Sequence, residues 1–170
     1  MMKTIPLLLA CLILIACQQQ VETTEIAESA TTPIETQPIE STDSIGPVVT
    51  TILDGDSFVI DTGERVRLIC VDANSTKTPD GLAAKELLEK LLIGKHVRLE
   101  REQSETDAYG RLVRHAYVDN ISVSEALLKE GLAKVYPFGP DVAYCEEFAA
   151  IEREARMTKR GLWNKTMQAQ

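Results

Sequence analysis

Three β-rich runs, 48–53, 57–61 and 64–71, follow one another with only Asp54-Gly55-Asp56 and Asp61-Thr62-Gly63 between them. Val, Ile, Thr and Phe suit a pleated surface, whereas Asp and Gly accept the tight backbone of a turn. A chain punctuated in this way is committed early to a three-strand meander. The period then changes. Leu82, Leu87, Leu88, Leu91 and Leu92 recur at helical spacing in a segment that Asp80-Gly81 opens and Gly94 stops. Two more strands are expected over 96–102 and 112–118, and Ser122 and Glu125 have capping-box spacing at the start of a short helix ending at Gly131. A last helix over 144–159 turns Phe148, Ile151 and Ala155 inward and closes at Gly161, with Trp163 covering the core behind it. This pattern gives an α+β domain over 48–165 and a tail over 166–170, with no internal repeat.

The chain before this domain has another character. Lys3 precedes an apolar run over 5–16, too short to span a bilayer as a mature helix and shaped like a secretory signal, so residues 1–16 read as a signal peptide. Leu14-Ile15-Ala16-Cys17 resembles a bacterial lipobox, which implies cleavage before Cys17 and lipid attachment there. An ordinary secretory signal and an uncleaved anchor are the alternatives. Residues 17–47 are rich in Thr, Glu, Ser, Pro and Gln, with acids at Glu22, Glu25, Glu28, Glu35, Glu40 and Asp43 and no Lys or Arg. Such a segment cannot bury a core and reads as an acidic, disordered linker. The expected product is an exported, lipid-anchored protein of the cell envelope, held to the membrane through Cys17.

The linker also explains much of the charge. The whole chain has a formal net charge of −8, but residues 48–170 hold 17 Lys and Arg against 20 Asp and Glu, or −3. Bulk electrostatics therefore exclude a non-specific polyanion binder, and any nucleic-acid contact must depend on a local site and a bound cation.

Local sites of that kind are visible. Asp54-Gly55-Asp56-Ser57, Arg67-Leu68-Ile69-Cys70-Val71-Asp72 and Asp107-Ala108-Tyr109-Gly110-Arg111 space acids and arginines along the domain. Carboxylates can hold a hard divalent cation through oxygen, and two guanidiniums can grip a phosphate and absorb charge as its ester breaks. Together they are the inventory for cutting a phosphodiester. Arg67, amid Val66, Leu68, Ile69 and Val71, needs an anionic partner, which is either a substrate phosphate or Asp56 or Asp72 in a structural ion pair. His96 and His115 have no second ligand or nucleophile at suggestive spacing and read as ordinary surface or packed residues.

From about Val48 to Trp163 these motifs and the residues between them resemble the thermonuclease family, the staphylococcal-nuclease-like domains. The resemblance implies a five-stranded OB-fold β-barrel of Greek-key topology with about three helices, and a Ca²⁺-dependent nuclease acting on DNA or RNA. A monomer is expected. Asp56, Asp72 and the backbone carbonyl of Ala73 would ligate Ca²⁺, with Asp54 nearby. Arg67 and Arg111 would be catalytic, Arg111 stabilising the pentacovalent phosphorane and the leaving oxygen. Tyr109, Tyr136 and Phe138 would stack on the nucleotide, the last two after a one-residue gap. The same fold would bring Cys70 and Cys145 together, and an exported domain with those two cysteines left over invites a disulfide.

Two departures bear on activity. The family usually follows the Asp72 position with Pro-Glu, the Glu being the general base, whereas this chain reads Ala73-Asn74-Ser75 and puts Ser75 in that place. A neutral hydroxyl does not accept a proton near neutral pH. A bound metal, Asp80 or Asp54 could compensate. Ala108 stands where a lysine often precedes Tyr109, which removes a phosphate contact. With the acidic balance, these departures support a second expectation: a catalytically inactive OB-fold lipoprotein that binds nucleotides, oligonucleotides or an envelope partner.

Overall fold

The computed structural model describes residues 46–164. The signal peptide expected over 1–16, the lipid site expected at Cys17, nearly all of the linker expected over 17–47 and the 166–170 tail lie outside the described residues.

β1 (Val49–Asp54), β2 (Ser57–Ile60) and β3 (Arg65–Leu68) form the antiparallel meander. Val49, Ile52, Phe58, Ile60, Val66 and Leu68 are buried. Alternation along β3 leaves Arg65 and Arg67 on the opposite face from Val66 and Leu68. β3 runs parallel to β6 (Leu112–Val118), which pairs antiparallel with β5 (Arg98–Glu100) and with the two-residue β7 (Ile121–Ser122). The main sheet thus runs β1-β2-β3-β6-β5, the five-strand arrangement of the OB-fold.

The barrel is not a closed ladder. β1 and β5 end the path, and one bridge between Val48 and His96 draws its edges together, flanked by 3.0 Å bonds from Val49 N to Lys95 O and from Val97 N to Pro47 O. The strand expected over 96–102 shortens accordingly, because its first residues pair with the chain leading into β1 and only Arg98–Glu100 join β6.

The expected third strand is in fact two. Ile69 N still bonds Arg114 O at 3.1 Å, but Cys70 adopts φ +59° and turns the chain. β4 (Val71–Ala73) then pairs antiparallel with β8 (Ala133–Val135) in a separate two-stranded sheet. Period-two reading misses this break, since Leu68, Ile69, Cys70 and Val71 are all buried and leave no polar interruption. Cys70 is disulfide-bonded to Cys145, with Cα atoms 5.4 Å apart across 75 residues of sequence. A closure of that length is worth about 4 kcal/mol in the chain-entropy model.

α1 (Pro79–Leu92) starts at proline after Thr78, whose Oγ1 accepts the Gly81 N–H at 3.3 Å. Its buried stripe includes Ala84, Leu88 and Leu92, whereas Leu82, also part of the apolar set at helical spacing, is 47% exposed. Ser122 Oγ caps α2 (Val123–Lys129) by accepting Glu125 N–H. α3 (Cys145–Met157) buries Phe148 and Ala155, and a 3₁₀ turn over Gly161–Trp163 places the indole beneath the Arg156 guanidinium. Of the two histidines, His96 is exposed, and His115 is buried with Nε2 2.6 Å from Glu102 Oε1.

Candidate active site

The turn from β1 to β2 presents Asp54 and Asp56. Asp54 Oδ1 accepts the Ser57 hydroxyl at 2.6 Å and the Asp56 N–H at 3.3 Å, which fixes the turn. A Cβ at Gly55 would lie 2.6 Å from both Ala73 Cβ and Ala84 Cβ, so only glycine lets this turn press against β4 and α1. Asp56 is buried, and its Oδ2 accepts the Ala73 N–H at 3.0 Å.

The chain reversal at Cys70 carries Asp72 back over Arg67. Arg67 Nη1 donates to Val71 O at 2.6 Å and to Leu68 O at 2.9 Å, gripping the reversal itself. Arg67 Nη2 lies 3.2 Å from Asp56 Oδ2 and 3.0 Å from Asp72 Oδ1. Both acids that the sequence offered as partners are therefore engaged at once, by one nitrogen.

Asp54 and Asp56 divide their charge. Burial pushes Asp56 up to about 7, against the opposing pull of Arg67 and the Ala73 N–H and with the added push of Asp54. Burial also raises Asp54, but the Ser57 hydroxyl and the hydrogen bonds from Asp56 outweigh it and hold Asp54 below the usual carboxylate range. One consequence is measurable. Folded Asp56 keeps its proton up to about 7, whereas the unfolded side chain loses it near 3.8. The stability this protonation contributes is complete below the unfolded value and is lost as pH rises through the folded one. In EDTA, denaturation midpoints between about pH 4.5 and 8 should fall for the unsubstituted protein relative to Asp56→Asn. Parallel profiles would contradict the assignment.

The second arginine sits on the turn before β6. Asp107 Oδ1 accepts the N–H groups of Tyr109 (2.9 Å) and Arg111 (3.0 Å), while its Oδ2 accepts Arg111 Nε at 2.7 Å and lies 2.7 Å from Nη2. Burial tends to raise Asp107, but these donors, the Arg111 N–H foremost, hold it below the usual range. Gly110 supplies the φ of +70° that the turn needs. Motif reading names Asp107 only as the start of its run and misses this holding role. An acid four residues before an arginine across a glycine turn is the signal that could have found it.

Arg67 and Arg111 line one cleft of about 200 Å³ together with Asp107, Tyr109, Tyr136 and Phe138. Tyr136 and Phe138 stack at 6.3 Å with their planes 11° apart, and all three aromatic rings are exposed on the rim. The Arg111 guanidinium stands 5.5 Å from the Tyr109 ring centroid. Tyr136 N–H bonds Cys70 O at 2.9 Å, which fixes that wall to the reversal between Arg67 and Asp72.

Ser75 lies outside this cleft, exposed in the loop before α1, with its hydroxyl accepting Lys77 N–H at 3.3 Å. Asp80 is held by the Asn74 amide.

The acids provide hard oxygen donors. Asp56 Oδ2 and Asp72 Oδ1 already converge on one cationic nitrogen, so two carboxylate oxygens can approach a single cation. That environment fits a divalent cation such as Ca²⁺. Among the described residues no group of three or more His, Cys, Asp and Glu side chains converges on a metal position. Such an ion would therefore need backbone carbonyl or water oxygens to fill its coordination.

A family model described as staphylococcal nuclease homologue matches residues 65–165. The chain is 38% identical over 125 residues to endonuclease YncB of Bacillus subtilis, covering 67% of this chain and 59% of that protein. Identity to the thermonuclease of Staphylococcus intermedius is 32% over 127 residues, covering 69% of this chain and 76% of that one. A protein of Escherichia coli named as an uncharacterised endonuclease is 33% identical over 132 residues, 75% of this chain and 82% of its own. The chain thus spans less than two thirds of the length of YncB.

Proposed function

The chain belongs to the staphylococcal nuclease family, and on that premise we propose that it is a nuclease, a Ca²⁺-dependent phosphodiesterase acting on DNA or RNA by in-line attack of water. The observation that carries this reading is the shared cleft: two guanidiniums, Arg67 and Arg111, beside paired acids and a rim of exposed aromatic rings. Asp56, Asp72 and the Ala73 carbonyl would hold the ion, which when bound supplies Lewis-acid polarisation of a phosphoryl oxygen and a more acidic water. Arg67, released from the acids, would turn a guanidinium nitrogen to the phosphate. Arg111 would meet the charge that gathers on the equatorial oxygens and the leaving oxygen. Asp107 keeps the Arg111 fork aimed, so little reorganisation is needed as charge develops. Tyr109, Tyr136 and Phe138 would stack on bases, which favours sequence-tolerant binding.

In this reading the protein is exported and anchored by lipid on Cys17, and it works as a monomer. Ser75 weakens it, because no carboxylate stands where the family's base does. The same exposed hydroxyl favours a second reading, an inactive OB-fold lipoprotein that binds nucleotides, oligonucleotides or an envelope partner. Incubation of the purified protein with circular single-stranded DNA and with RNA, in Ca²⁺ or in EDTA, separates the two. Fragments that require Ca²⁺ are expected. Intact substrates in the presence of folded protein would favour the second reading.

A further inference from the structure

We infer that Arg65 is a third phosphate contact, outside the cleft lining but at its edge beside Tyr109, placed to hold the phosphate next to the one held by Arg67. This rests on the nuclease reading above. Arg65 and Arg67 share the outer face of β3, with Val66 and Leu68 buried on the other. Two residues along a strand separate them by roughly 7 Å, the scale on which successive phosphates follow one another in an extended single strand.

Arg65 is also aimed. Its Nη2 donates to Tyr109 O at 2.9 Å, which ties the guanidinium to the turn that carries Tyr109 and Arg111. Arg67 and Arg111 are each paired with carboxylates. Among the described residues Arg65 has no carboxylate within salt-bridge distance, and it is exposed. A guanidinium carries five N–H donors in a rigid fork, so one bond to a carbonyl leaves a face open to an anion. Ala108 brings no charge to this turn; Arg65 reaches it from the neighbouring strand. The competing role is structural, a clamp on the Tyr109 carbonyl alone. Such a clamp would be insensitive to salt, whereas a phosphate contact would not.

Binding of a fluorescein-labelled phosphorothioate oligothymidylate of about eight nucleotides, which resists cleavage, to the full-length protein at fixed Ca²⁺, measured by anisotropy across a salt series, tests this. Arg65→Ala should weaken binding roughly three- to tenfold and reduce the slope of log K against log salt by about 0.7, the value of one single-strand phosphate contact. Arg65→Lys should keep the slope, and Lys90→Ala, on an exposed part of α1 away from the cleft, should match the unsubstituted protein. An unchanged slope in Arg65→Ala, or equal defects in Arg65→Ala and Arg65→Lys with the slope retained, would overturn the assignment while leaving the nuclease reading intact. Failure of the unsubstituted protein to bind the strand would overturn both.

Discussion

Arg111→Ala is expected to lower the rate of phosphodiester cleavage by about 10²–10³-fold, the usual loss when one preorganised donor to developing charge is removed. The geometry makes the arginine a poor candidate for a stability role. Its side chain is 23% exposed, and its carboxylate partner keeps two other donors, the N–H groups of Tyr109 and of residue 111 itself, after truncation. Loss of the pair should therefore cost no more than about 1–2 kcal/mol. Arg111→Lys should recover little activity, since an ammonium cannot reproduce a fork that is fixed through both Nε and Nη2. Thermal melting beside single-turnover cleavage decides the matter. A rate loss that tracks unfolding would remove Arg111 from the chemistry.

Ser75→Glu should act in the opposite direction and raise cleavage by about 10²–10⁴-fold, the typical contribution of a positioned general base. The loop is built to accept it. Ser75 O is fixed by Thr78 N–H at 2.9 Å and Thr78 Oγ1 at 2.8 Å, and a Cβ at Gly81 would come within 2.1 Å of that oxygen, so the backbone has little room to shift. The side chain, by contrast, is exposed and makes one long bond to Lys77 N–H. Glutamate there should change stability by less than about 0.5 kcal/mol. Asp80 is a weak substitute for the missing base, because its carboxylate is held by the Asn74 amide at the start of α1. An unchanged rate in Ser75→Glu would mean that proton abstraction is placed elsewhere, with Asp54 the remaining acid of the turn.

What the sequence could and could not reveal follows from the range of each interaction. The meander and its Asp-Gly-Asp turn are legible because alternation and turn chemistry are local. The break at Cys70 is not, since apolar residues flank it on both sides and a cysteine at φ +59° has no compositional cue. The open barrel is equally invisible, being decided by one bridge between Val48 and His96. At the site, the motifs named Arg67 with a choice between phosphate and acid partners. The fold resolves the resting state, in which one nitrogen bridges Asp56 and Asp72 because the Cys70 reversal superimposes residues five apart. The hold of Asp107 on Arg111 and the reach of Arg65 to Tyr109 depend on a turn and on strand order, so residue spacing alone does not show them.

The central claim is that this cleft cleaves phosphodiesters through its two arginines with Ca²⁺ held by the neighbouring acids. The most direct test is single-turnover cleavage of a labelled single-stranded oligonucleotide by the purified protein and by Arg111→Ala, each in Ca²⁺ and in EDTA. The account predicts strand scission by the unsubstituted protein in Ca²⁺ alone, falling by about 10²–10³-fold in the variant. Equal rates in the two proteins, or scission that persists in EDTA, would contradict it.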